Sequence, residues 1–253
     1  MWIVFDIGNS SVKAGLFRGE RLEQTFVLPH DAEGLVSGLE QAMRRYGGAS
    51  DPVDRTGIAS VVPTTTERLS TILRERNLDV TTVHHRMRLP FEMAYRTPES
   101  LGTDRLAAAA AAWDAIGMNG ERSVVAIDAG TACTMEVVDR GGVYLGGVIA
   151  PGPSLLQRAL HRETAQLPEV PLSLPETPVG ASTTEAMQSG IMLGFIEAAR
   201  GLLGRICRVL GDDPFVVATG GWSPLLLEQV NDVDDVDPHL VLRGVRVLMA
   251  MNP

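Results

Sequence analysis

WIVFDIGNSSVKAGLF, residues 2–17, decides the fold, because a like stretch returns as SVVAIDAGTACTMEVV at residues 123–138. In each copy an apolar, β-branched run ends in Asp-x-Gly, a polar turn follows, and a second apolar run leads back. Asp6 and Asp128 stand 122 residues apart. Each copy then passes a punctuating turn, Arg18-Gly19-Glu20-Arg21 or Arg140-Gly141-Gly142, and enters a third strand, at 25–28 or 143–149. Alternating apolar positions separated by Gly-containing turns read as an antiparallel meander. A repeat of this period is far too long for a solenoid. It predicts an α/β protein of two like halves, 1–117 and 118–253, facing each other across a cleft, with the boundary near residues 117–122.

Between and after the copies the pattern turns helical. Asp31 is placed to cap a helix to about Tyr46, with Leu35, Leu39 and Met43 at i, i+4 and i+8. Residues 56–62 read as a buried strand and 64–75 as a helix. An Ala-rich helix over 106–116 follows Pro98-Glu99-Ser100-Leu101-Gly102-Thr103-Asp104-Arg105. Residues 183–210 are mostly helical, 215–218 form a strand ending in Thr219-Gly220-Gly221, and 240–251 close the chain as a helix. Pro168, Pro171, Pro175 and Pro178 mark an extended connection.

With 253 residues, 45% apolar and 21% charged, the chain has the composition of an ordinary soluble protein with a core of its own. A formal charge of −9 repels phosphate backbones and argues against nucleic acid as the main partner. Any anionic ligand must then be held by local devices. Cys133 and Cys207 lack metal spacing, which points to a reducing compartment. No basic leader opens the sequence and no run of ~18 apolar residues occurs, so the expected location is cytoplasmic, with no membrane partner.

A strand that ends in Asp6 delivers a carboxylate to a turn where Gly8 lets a ligand approach and Asn9, Ser10 and Ser11 offer polar groups. Such a carboxylate suits Mg²⁺, held directly or through water, together with substrate phosphates; an ordinary hairpin turn is the plainer alternative. The second copy at Asp128–Thr134 supplies a second such turn, enough for the two ends of a triphosphate. Read from its residues alone, Asp128 is a second Mg²⁺ ligand. Thr219-Gly220-Gly221 leaves bare backbone against which an adenine or ribose can lie. Asp104 either accepts a proton from a substrate hydroxyl or caps the Ala-rich helix, or both. Arg105 offers a planar donor fork for carboxylate or phosphate, with a surface ion pair as the alternative.

These loops resemble those of the actin, sugar-kinase and heat-shock-chaperone ATPase superfamily, whose fold is a duplicated ribonuclease-H-like domain. Four segments are similar to the type III pantothenate kinases in order and spacing: DIGNSSVK at 6–13, YRTPESLGTDR at 95–105, DAGTACTMEVVDRGGVYLGGVIAPG at 128–152 and GASTTEAMQSG at 180–190. The resemblance implies ATP-dependent phosphorylation of pantothenate, with ATP held by Asp6, Ile7, Gly8, Asn9, Ser10, Ser11, Val12, Lys13 and Thr131. It implies Asp104 as proton acceptor, and Tyr95, Gly102, Thr103, Asp104, Arg105 and Thr183 around pantothenate. It assigns Asp128 to a monovalent cation, K⁺ or NH₄⁺, rather than to Mg²⁺. It further implies a homodimer, with Thr183 reaching the partner's pocket.

The chain departs from the family pattern at Ser10, where Thr is usual, at Glu136, where Asp is commoner, and at Ala181-Ser182 before Thr183. His84-His85 reads as a solvated loop, and NDVDDVDP at 231–238 as an acidic loop. No Walker lysine loop or dinucleotide fingerprint occurs. Two other readings stand beside the main one. The first is a kinase for a different small alcohol or acid on the same scaffold, and the second a nucleotide-binding regulator without turnover.

Overall fold

The computed structural model describes all residues except 47–51, 117–119 and 121, and the side chains of Ala32 and 42–46 are likewise left aside. Two compact units divide the chain. The first comprises Met1–Met118, Gly142–Tyr144 and His239–Pro253; the second comprises Asn119–Gly141 and Leu145–Pro238. The closing helix thus packs with the first half of the sequence, where a simple division into 1–117 and 118–253 would put it with the second. Most of the expected boundary, 117–122, lies outside the described residues.

In the first unit, β1 (Trp2–Ile7), β2 (Val12–Arg18) and β3 (Arg21–Leu28) form the expected antiparallel meander. After α1 (Ala32–Tyr46), β4 (Arg55–Ser60) joins β1 in parallel. After α2 (Pro63–Arg74), β5 (Asp79–Thr82) joins β4, giving the order β3-β2-β1-β4-β5. Asp31 caps α1 as its residue type predicts, its Oδ1 accepting from Gly34 N at 2.7 Å. Leu35 and Leu39 on α1, with Leu69 and Leu73 on α2, are fully buried against Ile3, Phe5 and Ile7. Met43 lies outside the described side chains.

The opposite face of this sheet is covered by α3 (Thr103–Ala115) and α8 (Leu240–Met251). Every residue of α3 from Arg105 to Trp113 is buried, which explains its run of alanines: only small side chains fit between a helix and its neighbours on all sides. β6 (Glu92–Met93) pairs in parallel with Val143 and Tyr144, and those two residues fall in the same unit.

The second unit repeats the plan. β7 (Val124–Ala129) pairs antiparallel with β8 (Ala132–Val138), which neighbours β9 (Val143–Pro151). On the other side of β7, β10 (Phe215–Thr219) and β11 (Asp235–Val236) are parallel, so the order β9-β8-β7-β10-β11 matches the first sheet strand for strand. This is the duplicated ribonuclease-H-like topology expected from the sequence resemblance. Alternation along β7 and β8 sends Val125, Ile127, Met135 and Val137 into a core with Phe195, Ile196 and Leu203 of α6 (Gly194–Leu210) and Leu226 of α7 (Ser223–Gln229). α4 (Pro153–Glu163) and α5 (Thr183–Gln188) complete the unit, and a π-turn, Ser189–Leu193, joins α5 to α6. Between α4 and α5 the Pro-rich segment forms neither helix nor strand. The acidic run at 231–238 contains β11, so it is an edge strand rather than a loop throughout. Asp234 accepts there from Val216 N at 2.8 Å.

Candidate active site

Asp6 lies near the end of β1, directly opposite Lys13 on β2 and beside Ala59 on β4. Only 9% of Asp6 is exposed. Directly opposed residues of an antiparallel pair share a face, so the Asp6 and Lys13 side chains leave the sheet on the same side. That face is the one on which α3 and α8 pack. The turn between them closes with Gly8 N donating to Ser11 O at 3.1 Å, while Asn9 and Ser10 are exposed at its tip. Lys13 is the only lysine in the chain; the other 21 of the 22 basic Lys and Arg residues are arginines. That count was available in the sequence and singles out this position more sharply than the turn motif does.

The start of α3 is built onto the end of β4. Gly102 is the N-cap, and Thr103 Oγ1 accepts from Ser60 N at 2.6 Å and donates to Ser60 O at 2.9 Å. Asp104 therefore sits in the first turn and is not the cap that its residue type allowed. Its Oδ1 accepts from Arg105 N at 2.8 Å. Gly102 has φ −56°, which any residue can adopt, and a Cβ there would lie 2.5 Å from Asp104 Oδ1, so a side chain at this position would push that carboxylate aside. Arg105 is 8% exposed, which rules out the surface ion pair considered for it. Its guanidinium lies 5.9 Å from the centroid of the Tyr95 ring. Tyr95 in turn meets the fully buried Tyr144 edge-on at 6.0 Å, and Tyr144 stacks on Phe91 at 5.5 Å. The first unit thus brings Asp6, Lys13, Tyr95, Gly102, Thr103, Asp104 and Arg105 onto connected elements.

In the second unit Asp128 takes the place of Asp6, with Thr134 opposite and Thr219 of β10 beside it. Its turn is one residue tighter: Asp6 pairs with a residue seven positions on, Asp128 with one six positions on, and Gly130 N donates to Ala132 O at 2.9 Å. Gly220 has φ +89°, a left-handed conformation suited to glycine, and a Cβ there would fall 2.5 Å from Asp128 Oδ1. Backbone is thereby brought against the carboxylate. Gly152 of the YLGGVIAPG stretch donates to Thr131 O at 3.0 Å, and its missing side chain would lie 2.2 Å from Gly130 O. Thr131 itself is exposed.

Thr183 is exposed as the first residue of α5. Before it, Ser182 Oγ accepts from Glu185 N at 3.3 Å, and Glu185 Oε2 accepts from Ala181 N at 2.7 Å. That is a variant of the capping box, in which Glu185 reaches one residue past the Ser182 cap, and its Ser-x-x-Glu pattern is legible in Ser182-Thr183-Thr184-Glu185. Glu136 is 1% exposed, two residues along β8 from Thr134 and on the same face as Asp128.

Cys133 points the other way. Burial, helped by the Asp128 charge, pushes its thiol up to about 12. It lines an apolar cavity of about 250 Å³ with Met135, Val148, Leu156, Phe195 and Leu202, on the face of the sheet away from Asp128. His84 Nδ1 accepts from Arg86 N at 3.1 Å within a loop. Among the described residues no group of three or more His, Cys, Asp and Glu could hold a metal ion by itself.

Two sheets that share one five-strand order, the second extended by β6, each with an Asp-x-Gly turn at the end of its first strand, define an actin-like ATPase and sugar-kinase fold. Solved structures agree. A Baf-family protein from Campylobacter jejuni superposes with a TM-score of 0.62 at 20% identity, covering 99% of this chain and 98% of that one. The activator of the 2-hydroxyisocaproyl-CoA dehydratase from Clostridium difficile, with bound ADPNP, gives 0.53 at 14% identity over 99% and 94%. The type III pantothenate kinase family model matches residues 2–205, and the chain belongs to that family. Among its relatives, the type III pantothenate kinase 1 of Symbiobacterium thermophilum is 36% identical over 262 aligned residues, covering 100% of this chain and 97% of that protein.

Proposed function

We propose that the chain transfers the γ-phosphoryl group of ATP to the primary hydroxyl of pantothenate, giving 4'-phosphopantothenate, the opening step of coenzyme A synthesis. The observation that carries the reading is the shared anchorage of two carboxylates in the first unit. Asp6 lies one residue before the end of β1, and Asp104 sits in the first turn of the helix pinned to β4, the strand hydrogen-bonded beside β1. Phosphoryl transfer asks the protein mainly for positioning and charge stabilisation, with a carboxylate to take the hydroxyl proton.

In this reading Asp104 is the proton acceptor. Tyr95, Gly102, Arg105 and Thr183 serve pantothenate, Thr103 does so through its main chain because its hydroxyl is engaged with Ser60, and residues 6–13 with Thr131 serve ATP. The Arg105 fork, held under the Tyr95 ring, is suited to the substrate carboxylate. Asp6 is one buried carboxylate, which fits Mg²⁺ arriving with the nucleotide; when bound, that ion would neutralise phosphate charge. Asp128, with the Gly220 backbone closed over it, supplies the carboxylate and close main chain that suit K⁺ or NH₄⁺. The protein is read as a cytoplasmic homodimer with Thr183 donated to the partner's pocket, to be checked by sedimentation mass and by mixing Thr183→Ala with Asp104→Asn protomers.

A coupled assay of ADP release, with ATP and pantothenate, tests the central claim. Asp104→Asn should bind ATP as the wild type does and turn over at least ~10²-fold more slowly, the scale of general-base catalysis. Wild-type protein that ignores pantothenate but phosphorylates another alcohol would replace the substrate and keep the chemistry. No turnover with any acceptor would favour a regulator.

A further inference from the structure

We infer that Thr103 is a positioning residue for phosphoryl transfer: its hydroxyl stands in for a missing strand at the end of β4 and so sets where the Asp104 carboxylate lies relative to the Asp6 turn. The inference rests on the assignment of Asp104 as proton acceptor.

β4 lies between β1 and β5, but β5 ends early. Its last residue, Thr82, is opposite Ile58, and Val83 N donates to Ile58 O at 2.8 Å. Alternate residues of a strand direct their N–H and C=O groups to the same side. The N–H and C=O of Ser60 therefore point to where β5 would have continued, and both need partners. Thr103 Oγ1 serves both, at 2.6 and 2.9 Å.

Ser60 is itself immobilised. Its hydroxyl accepts from Thr66 Oγ1 of α2 at 2.5 Å and from Val62 N at 3.0 Å. On the other side of β4, Ser60 is in register with Ile7, and Val61 N donates to Ile7 O at 3.1 Å. One residue thus indexes both carboxylates: Asp6 through the β1–β4 ladder and Asp104 through Thr103. Strands lie about 4.8 Å apart, so Thr103 occupies a third strand position and Asp104 comes on the order of 10 Å from β1, room for a phosphoryl group and its acceptor oxygen.

Threonine suits the task because branching at Cβ restricts χ1 and holds the hydroxyl in one direction. Valine would keep the shape and lose both hydrogen bonds; serine would keep both.

The experiment compares Thr103→Val, Thr103→Ser, Asp104→Asn and the Thr103→Val/Asp104→Asn double variant. It uses steady-state kinetics well below the melting temperature, calorimetric ATP binding and thermal melts. Misplacement by about 1 Å costs up to ~10²-fold. Thr103→Val should therefore lose ~10- to 10²-fold in kcat while KM for pantothenate and Kd for ATP stay within about threefold. Thr103→Ser should recover most of that rate. A residue that acts only through Asp104 adds nothing once Asp104 is gone, so the double variant should be no slower than Asp104→Asn alone.

Wild-type kcat in Thr103→Val, or a loss that multiplies with that of Asp104→Asn, overturns the inference. If Thr103→Val fails to fold, Thr103→Ala is read by the same comparisons. Wild-type turnover in Asp104→Asn would remove the proton-acceptor assignment itself, an outcome distinct from a silent Thr103.

Discussion

Lys13 is where residue identity speaks most directly. A chain that uses arginine at 21 of 22 basic positions has kept lysine at the one opposed to Asp6. A guanidinium is a wide planar fork, an ammonium a compact point charge on a flexible stem. If the turn after Asp6 holds ATP phosphates as proposed, the compact charge can follow a phosphoryl oxygen as its charge redistributes, and the fork would crowd Asp6. Lys13→Arg should therefore lower kcat by roughly tenfold despite conserving charge, and Lys13→Ala by ~10²-fold or more, the range for deleting one preorganised donor. The same steady-state assay checks both, and full activity in Lys13→Arg would reduce the ammonium to general electrostatics. Sequence motif alone placed Lys13 in a phosphate loop. Its pairing with Asp6 required the β1–β2 register.

At the scale of elements, close packing decides what the sequence could and could not reveal. The two meanders were legible because alternation and Gly turns are local signals, and Asp31 announced α1 for the same reason. β5 is half exposed and short and β6 has two residues, so neither offered a strong period. The start of α3 lay three residues earlier than its alanines indicated, because the pairing of Thr103 with Ser60 is a tertiary contact. Packing of α3 on α8 is another. Gly244 of α8 approaches α3 so closely that a Cβ would lie 1.8 Å from Ala107 O. In a free helix Gly→Ala stabilises by up to about 1 kcal/mol. Here the obstacle is backbone, which cannot rotate away, so Gly244→Ala should destabilise by about 1–3 kcal/mol, the usual cost of overpacking, or more. Urea unfolding of the variant reads the sign directly, and a stabilised protein would mean that the two helices separate easily.

At the scale of the molecule, the duplication was readable in Asp6 and Asp128 because both copies preserve the turn, but the ownership of α8 was not. Nothing in LVLRGVRVLMAM says which sheet it covers. Its apolar face is generic, and the selection is made by Gly15 and Gly57, whose missing side chains admit Leu242 and Met249 on either side of Val4. The consequence is topological: the first unit contains residues from both ends of the chain, whereas the second is drawn from 119–238. Seven large apolar side chains of α8 are buried: Leu240, Val241, Leu242, Val245, Val247, Leu248 and Met249. At about 1.5–3 kcal/mol each, they sum to about 10–20 kcal/mol, of the same size as the about 5–15 kcal/mol by which a domain is stable. A chain ending at Pro238 should therefore leave the first unit unfolded while the second keeps the strands β9-β8-β7-β10-β11 and the core built around Phe195 and Leu203. Limited proteolysis followed by mass spectrometry should find a protected fragment within 122–238 and rapid cleavage throughout 1–116. Equal protection of both regions would show that α8 covers a face already stable without it, and uniform cleavage would show that the second unit cannot stand without the first.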